Sequence, residues 1–258
     1  MTQVIYDGTY EGWLTAVFEI YELKFDDVVF AKSEISNALF FSDRYIVITD
    51  LQKAKRVLKG LKDKLSKEGF ANIYKAFLSD IDKIDETLFQ YVKYIFSSAV
   101  NIEDDLSNSA VLGVRKAAYV TGRESHRMKA FVRFKLTKDN LYYAVVEPDC
   151  DVLPLIEKHF KIRYADQRWL IYDTKRKYGI YYDLENTTSV QLEFNANSNS
   201  SQFLAEISDD NEEFFQNLWR QFFKSVNIES RKNTKLHIQH MPKRYWKNLI
   251  EKIPDMKK

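Results

Sequence analysis

The sequence predicts an α+β fold, with a helical first half and, in the second half, a mostly antiparallel sheet flanked by helices. Three observations predict it. Up to about residue 119, apolar residues recur every three to four positions behind residues that cap helices. After Gly122 the period shortens to two, in runs separated by turn residues. Segments with helical spacing return between and after those runs.

Val4-Ile5-Tyr6 reads as a short strand and Asp7-Gly8-Thr9 as a turn. Thr9 or Asp7 caps a helix over 10–21, whose stripe is Trp13, Leu14, Val17, Phe18 and Tyr21. A buried strand is predicted over 45–49. Asp50 then caps a helix to about Leu65, with Leu51, Ala54, Leu58, Leu61 and Leu65 inward. Further helices are predicted over 69–78, 87–97 and 106–119. The segments 127–136 and 141–146 flank Thr137-Lys138-Asp139-Asn140 as a hairpin. Asp149 or Asp151 opens a helix to about Phe160, with Pro154 near its first turn. The segments 168–172 and 178–183 form a second hairpin around Thr174-Lys175-Arg176-Lys177. A strand over 189–194, a polar loop over 195–201 and an amphipathic helix over 211–226 follow. A basic tail ends in a short helical piece around Tyr245-Trp246. The expectation is a single α+β unit over 1–258. It admits a sub-division into a helical part (1–82), a core with the sheet (83–250) and a tail (251–258), with boundary positions near 79–85 or Gly122.

Composition excludes several function classes. The chain has 258 residues and 39 Lys and Arg against 37 Asp and Glu, so it is no polycation, and anion binding requires uneven placement of charge. Cys150 stands alone, which rules out an internal disulfide, a cysteine-rich zinc site and an iron–sulfur cluster held by the chain's own thiolates. Seven glycines and no phosphate-cradling glycine loop argue against a dinucleotide-binding fold. No cofactor is predicted. The opening Met1-Thr2-Gln3-Val4 lacks a basic segment followed by a long apolar run. No stretch approaches the length of a membrane span, so a cytoplasmic location without a membrane partner is expected.

The segment 127–136 carries the main functional signal. Arg127, Lys129, Phe131, Arg133 and Lys135 alternate with Met128, Ala130, Val132, Phe134 and Leu136. As a strand it would present a cationic face with an aromatic in its middle, the chemistry that follows phosphates and stacks on bases. Arg168 and the hairpin tip Lys175-Arg176-Lys177 would extend that surface. The expected nucleic-acid-binding residues are therefore Arg127, Lys129, Phe131, Arg133, Arg168, Lys175, Arg176 and Lys177. The competing expectation covers Phe131 with a helix and pairs the cations with Glu124, Glu147 or Asp149. The lysine-rich stretch Lys53–Lys64 reads as a solvated helix face. His237 and His240, three apart, read as a chance pair, and no metal site is predicted. Glu147, Asp149, Asp166 and Asp173 are the carboxylates that a DNA-acting enzyme, a metal-dependent hydrolase or a base-modifying enzyme, would use.

Several stretches together resemble a known bacterial family. They are Tyr6-Asp7-Gly8-Thr9-Tyr10-Glu11-Gly12-Trp13, Glu124-Ser125-His126-Arg127, Glu147-Pro148-Asp149-Cys150-Asp151, Arg163-Tyr164-Ala165-Asp166-Gln167-Arg168-Trp169 and Met241-Pro242-Lys243-Arg244-Tyr245-Trp246. The family is a domain of unknown function described as a probable DNA metabolism protein. It is linked to a putative radical-SAM DNA modification or repair protein and is found fused to uracil-DNA glycosylase-like domains. The resemblance implies a nucleic-acid-binding accessory protein in DNA repair or modification. Its partners would be single-stranded or damaged DNA, a radical-SAM protein and a uracil-DNA glycosylase-like protein. It carries over no catalytic residues. The alternatives are the DNA-acting enzyme above and a protein-interaction subunit without direct DNA contact.

Overall fold

A computed structural model describes residues 1–32, 43–191, 209, 212–225 and 233–252. The chain divides into two units, residues 1–122 and 123–258. The division falls at Gly122, where the period of the sequence changes.

In the first unit, β1 (Thr2–Ile5) lies between β2 (Val28–Ala31) and β3 (Asp43–Ile46), parallel to both. The chain leaves β1 through a turn at Gly8, whose φ of +81° suits glycine. It enters α1 (Tyr10–Leu23), where Thr9 is the cap: its Oγ1 accepts the Gly12 N–H at 2.9 Å. Asp7 orients that cap by accepting the Thr9 N–H at 2.9 Å and the Thr9 hydroxyl at 2.7 Å, and it also accepts the Thr49 hydroxyl at 2.7 Å. A Cβ on Gly12 would meet Asp7 Oδ1, so the close approach needs glycine. Asp50 caps α2 (Leu51–Lys64) and Ser66 caps α3 (Lys67–Phe77). Ala54, Val57 and Leu61 face inward from α2, whereas Leu51 is exposed. In α4 (Ile84–Ser97), Asp85 and Glu86 lie in the first turn, and Glu86 accepts the Phe30 N–H. Strands β1 and β3 overlap the predicted 4–6 and 45–49, with β3 largely exposed where a buried strand was expected; β2 and the parallel pairing were not predicted.

The helix α5 (Ser109–Phe131) corrects the expectation of a strand over 127–136. Only Lys135–Leu136 is a strand, β4. The same ten residues carry a second period. Glu124, Met128 and Val132 are spaced by four and all buried, continuing Ala117 and Thr121. Arg, Met, Lys and Ala also favour helix, while Val132 is the lone β-branched residue in the run. A helix already under way from Ser109 therefore propagates into the alternating segment as far as Phe131.

In the second unit, β4, β5 (Tyr142–Val146), β6 (Trp169–Asp173), β7 (Tyr178–Tyr182) and β8 (Thr187–Val190) form one sheet in that order. Every pairing is antiparallel except β5 with β6, which are joined through α6 (Leu153–Arg163) as a crossover requires. Pro154 sits in the first turn of α6, as predicted, but neither Asp149 nor Asp151 caps it; the N-cap residue is Val152. The core joins Met128, Ile156, Phe160, Trp169 and Ile171 to Tyr245 and Leu249. Tyr245 lies within a 3-10 helix, Lys243–Asn248, and Leu249 follows its end. Helices α7 (Glu212–Ser225) and α8 (Thr234–His240) precede it. The predicted loop over 195–201 and the last residues of the 189–194 strand lie outside the described residues.

Gly179 on β7 is fixed by close approach, since a Cβ there would lie 2.8 Å from the Ile171 carbonyl oxygen. That neighbour is backbone and cannot rotate away. Gly179→Ala is expected to cost about 1–3 kcal/mol through forced displacement of β6 from β7, read as a lower urea midpoint with an unchanged slope.

Candidate functional site

The parallel pairing of β5 with β6 sets Val146 beside Asp173. Glu147-Pro148-Asp149 and Thr174-Lys175-Arg176 therefore leave the sheet side by side. Asp173 is fully buried and organises the second segment. Its Oδ1 accepts the N–H groups of Lys175 at 2.8 Å and Arg176 at 3.2 Å, and its Oδ2 accepts from Arg176 Nη1 at 2.8 Å. Arg176 also donates to the carbonyls of Pro148 at 3.2 Å and Asp149 at 2.9 Å. Lys175 Nζ reaches the Asp149 carbonyl at 3.1 Å. The tip Lys175-Arg176 is thus tied down onto the loop that follows β5.

Glu124 holds that loop from the other side. This carboxylate is buried on α5, and its Oε1 accepts the Asp149 N–H at 3.0 Å. Its Oε2 accepts from Arg244 Nη2 at 3.2 Å and from the Tyr245 hydroxyl, with Arg127 Nη1 at 3.8 Å. Arg244 also pairs with Asp149 Oδ2 at 2.8 Å, and Lys247 pairs with Glu147. Tyr178 donates its hydroxyl to Asp151. Burial, reinforced by Glu124, pushes the Tyr245 hydroxyl well above the usual tyrosine range. Burial, reinforced by the Asp151 carboxylate, does the same to Tyr178. The Lys247 hydrogen bond holds the Glu147 carboxyl below its ordinary value.

Three distant stretches therefore converge: Glu124 to Arg127, Glu147 to Arg176, and Arg244 to Lys247. Among the described residues, this network joins Arg127, Lys175, Arg176, Arg244 and Lys247 to Glu124, Glu147, Asp149 and Asp173. The deepest carboxylates, Glu124 and Asp173, lie beneath cations that are more exposed than they are. The outer layer combines Lys175, Arg244 and Lys247 with Glu147 and Asp149.

The other predicted residues are placed apart from this network. Arg168 lies at the opposite end of the β5–β6 pair, where its Nη2 donates to the Asp139 carbonyl at 2.6 Å; Asp166 precedes it on an exposed turn. Lys177 is exposed at φ +57° in the β6–β7 turn. Lys129 is exposed on α5, where burial of His159 and the charges of Lys129 and Arg163 lower the His159 pKa. Arg133 is not a free cation. It binds Glu251 Oε1 at 2.7 Å and the Ala130 carbonyl at 2.7 Å, and its guanidinium lies over Trp219 at 5.2 Å. Phe131 packs on Tyr245 with ring centroids 5.3 Å apart and belongs to the margin of the core. The expectation of one cationic strand face with Phe131 as its stacking ring is corrected accordingly. On the helix Lys129 turns away from Arg127 and Phe131, Arg133 lies beyond its end, and the pairing of Arg127 with Glu124 matches the competing expectation.

Of the carboxylates proposed for an enzyme, Glu147, Asp149 and Asp173 lie in this network, where each is paired with a cation, and Asp166 does not. Asp166 is at the far end of the sheet, and Asp173 is consumed by its own turn and Arg176. Among the described residues, no group of three or more His, Cys, Asp or Glu is placed to hold a metal ion, and no helix is long and apolar enough to cross a membrane. Arg244 was visible as part of the basic tail and Glu124 as a counter-ion in the competing expectation, but nothing in the sequence joined the two or placed Tyr245 between them.

Glu251 provides a pH-dependent contribution. Burial would raise its carboxyl, but hydrogen bonds from Arg133 and Trp219, with the Arg133 charge, outweigh burial and hold it below the ordinary 4.5. A depressed carboxylate contributes stability that is present above the unfolded pKa and lost as pH falls through the folded one. Stability should therefore fall below about pH 4.5, and Arg133→Ala should flatten that part of the profile in urea titrations across this range.

Three comparisons place the chain among known proteins. A family model described as "Domain of unknown function (DUF4130)" matches residues 82–251. No curated protein matches. Among solved structures, a pGpG-specific phosphodiesterase, PggH from Vibrio cholerae, aligns at a TM-score of 0.31 and 8% identity, over 88% of this chain and 99% of that one. A likeness at that level supplies neither a fold nor a function.

Proposed function

The chain belongs to the DUF4130 family of domains of unknown function, and from that premise we propose that it is a nucleic-acid-binding accessory protein in DNA repair or modification. The observation that carries the reading is the convergence of cations from three separate stretches at the ends of β5 and β6. Lys175, Arg244 and Lys247 are its outer members. Arg244 is held by Glu124, Lys247 by Glu147 and Lys175 by the Asp149 carbonyl, and cations held in this way form a pre-set surface for successive phosphates. Glu124 and Asp173 supply that support, and Arg127 and Arg176 are positioning residues within it. Lys129, Arg168 and Lys177, exposed elsewhere on the unit, would extend the phosphate contacts without belonging to the centre.

Binding measured by fluorescence anisotropy on labelled DNA or RNA should weaken steeply with salt, because each neutralised phosphate releases counterions. Lys175→Ala combined with Lys247→Ala should reduce the slope of log K against log salt by about one per lysine and weaken all sequences alike. Absence of binding at low salt would sink the reading.

The protein partner we assign is the radical-SAM or uracil-DNA glycosylase-like protein implied by the family resemblance. Support for a protein contact comes from α7, where Phe214, Phe215 and Leu218 are exposed together. Co-purification from cells that express both proteins tests this assignment.

A further inference from the structure

The first unit contains an aromatic groove that the cation network does not use. It has a volume of about 550 Å³ and is lined by Tyr21, Lys93, Tyr94, Phe96 and, at the start of α5, Ser109. Tyr21 is 46% exposed and Phe96 36% exposed, although both are large apolar rings. They meet edge to face, with centroids 6.2 Å apart and planes at 90°. The Phe96 ring is braced from below: a Cβ on Gly60 of α2 would lie 3.1 Å from its Cε1. Gly60 thus leaves room for the ring. Arg56 and Lys64 stand one helical turn to either side of Gly60 on the same face.

Cations predominate around this groove, although the Asp105 carboxylate accepts the hydroxyl of Tyr94, one of its lining residues, at 2.8 Å. Its lining includes Lys93 and no carboxylate. Arg56 stacks its guanidinium on Phe18 at 4.7 Å, and Lys93 lies near the Phe89 ring at 5.7 Å. Among the described residues neither cation has a carboxylate within ion-pair distance. Lys64 donates to the Ser98 carbonyl at 2.8 Å, which holds its charge beside the groove. Exposed rings set at right angles, with cations on both flanks, match what single strands offer: unpaired bases with π faces and a phosphate at every step. A duplex keeps its bases stacked away from such a groove.

We infer that this groove seats one or two bases of a single-stranded nucleic acid against Tyr21 and Phe96, with the flanking phosphates along Arg56, Lys64 and Lys93. This rests on the reading of the chain as a nucleic-acid binder and names the form it takes. It also gives the lysine-rich helix face a role that the sequence did not.

The experiment uses the full chain and an oligothymidylate containing 4-thiothymidine. After irradiation, crosslinked peptides are mapped by mass spectrometry, and affinity is measured by anisotropy for the single strand and for a duplex. Crosslinks are expected at Tyr21, Tyr94 or Phe96. Tyr21→Ala with Phe96→Ala should lose about tenfold or more in single-strand affinity, the scale of a stacked base, with duplex affinity unchanged. Tyr21→Phe, which keeps the ring, should retain binding, and matched thermal unfolding curves exclude misfolding. Crosslinks confined to residues 123–252, with undiminished affinity in the double variant, overturn the groove and leave the cation network standing. The reverse pattern, crosslinks in the groove and no effect of Lys175→Ala with Lys247→Ala, supports the groove and removes the network from the interface. No binding of any nucleic acid overturns both.

Discussion

Replacing Glu124 by alanine is expected to destabilise the second unit by roughly 3–5 kcal/mol, toward the lower end of that range. The carboxylate is 2% exposed and accepts from Arg244, the Tyr245 hydroxyl and the Asp149 N–H. These donors differ in how well they survive its loss. Arg244 is half-exposed and can reach water, so its charge contributes little to the cost. Tyr245 is buried, and its hydroxyl would lose its acceptor where water does not enter; the Asp149 N–H faces a similar loss. Loss of the buried carboxylate also leaves unfilled space beneath the loop. Glu124→Gln keeps the volume and one carbonyl acceptor and should cost less than half as much. Equilibrium urea unfolding of the three proteins checks this ordering. An alanine variant within about 1 kcal/mol of the parent would mean that water takes the place of the carboxylate.

Asp173→Ala is expected to have an effect of the same size, about 3–4 kcal/mol, with a second consequence in binding. Asp173 is 0% exposed and makes three hydrogen bonds, two of them to the turn that carries Lys175 and Arg176. Without it, Arg176 loses a fully buried counter-charge, and the tip loses its fixed conformation. Asp173→Asn retains an oxygen for the two turn N–H groups and loses the ion pair. It should therefore preserve the turn at reduced stability. If the cation network binds phosphates, Asp173→Asn should bind DNA nearly as well as the parent, whereas Asp173→Ala should bind more weakly even where it remains folded. Equal binding by all three would show that the position of the tip is irrelevant to the ligand.

The elements with one dominant period were legible in the sequence. Thr9 and Asp50 stand before helices and cap them, and the hairpin around Thr174–Lys177 forms as its turn residues require. Two strands of the parallel sheet were legible, at 4–6 and 45–49, whereas β2, four residues long, is too short for a period to emerge, and nothing local encodes the pairing. The segment 127–136 failed for the opposite reason. It satisfies a period of two and a spacing of four at once, and local preference together with the helix already running from Ser109 decided between them. The site was legible only in part. Lys175 and Arg176 were visible as an exposed basic tip. Their dependence on Asp173 follows from a turn geometry in which one carboxylate faces the two N–H groups that follow it. The link from Glu124 to Arg244 and Tyr245 spans nearly the length of the unit, and no local pattern in a chain encodes a contact at that separation.

The 3-10 helix at Lys243–Asn248 has a consequence for the order of events during synthesis. Tyr245 and Leu249 fill the core against residues from α5, α6 and the sheet, all made earlier. A nascent chain that has produced every strand of that sheet still presents an open apolar seam until this short piece emerges. Closing the seam also brings together residues 121 positions apart, Glu124 and Tyr245, and contacts of such separation slow folding. The second unit would then mature late and all at once, and a ribosome stalled shortly before Tyr245 would display a chain that invites chaperones.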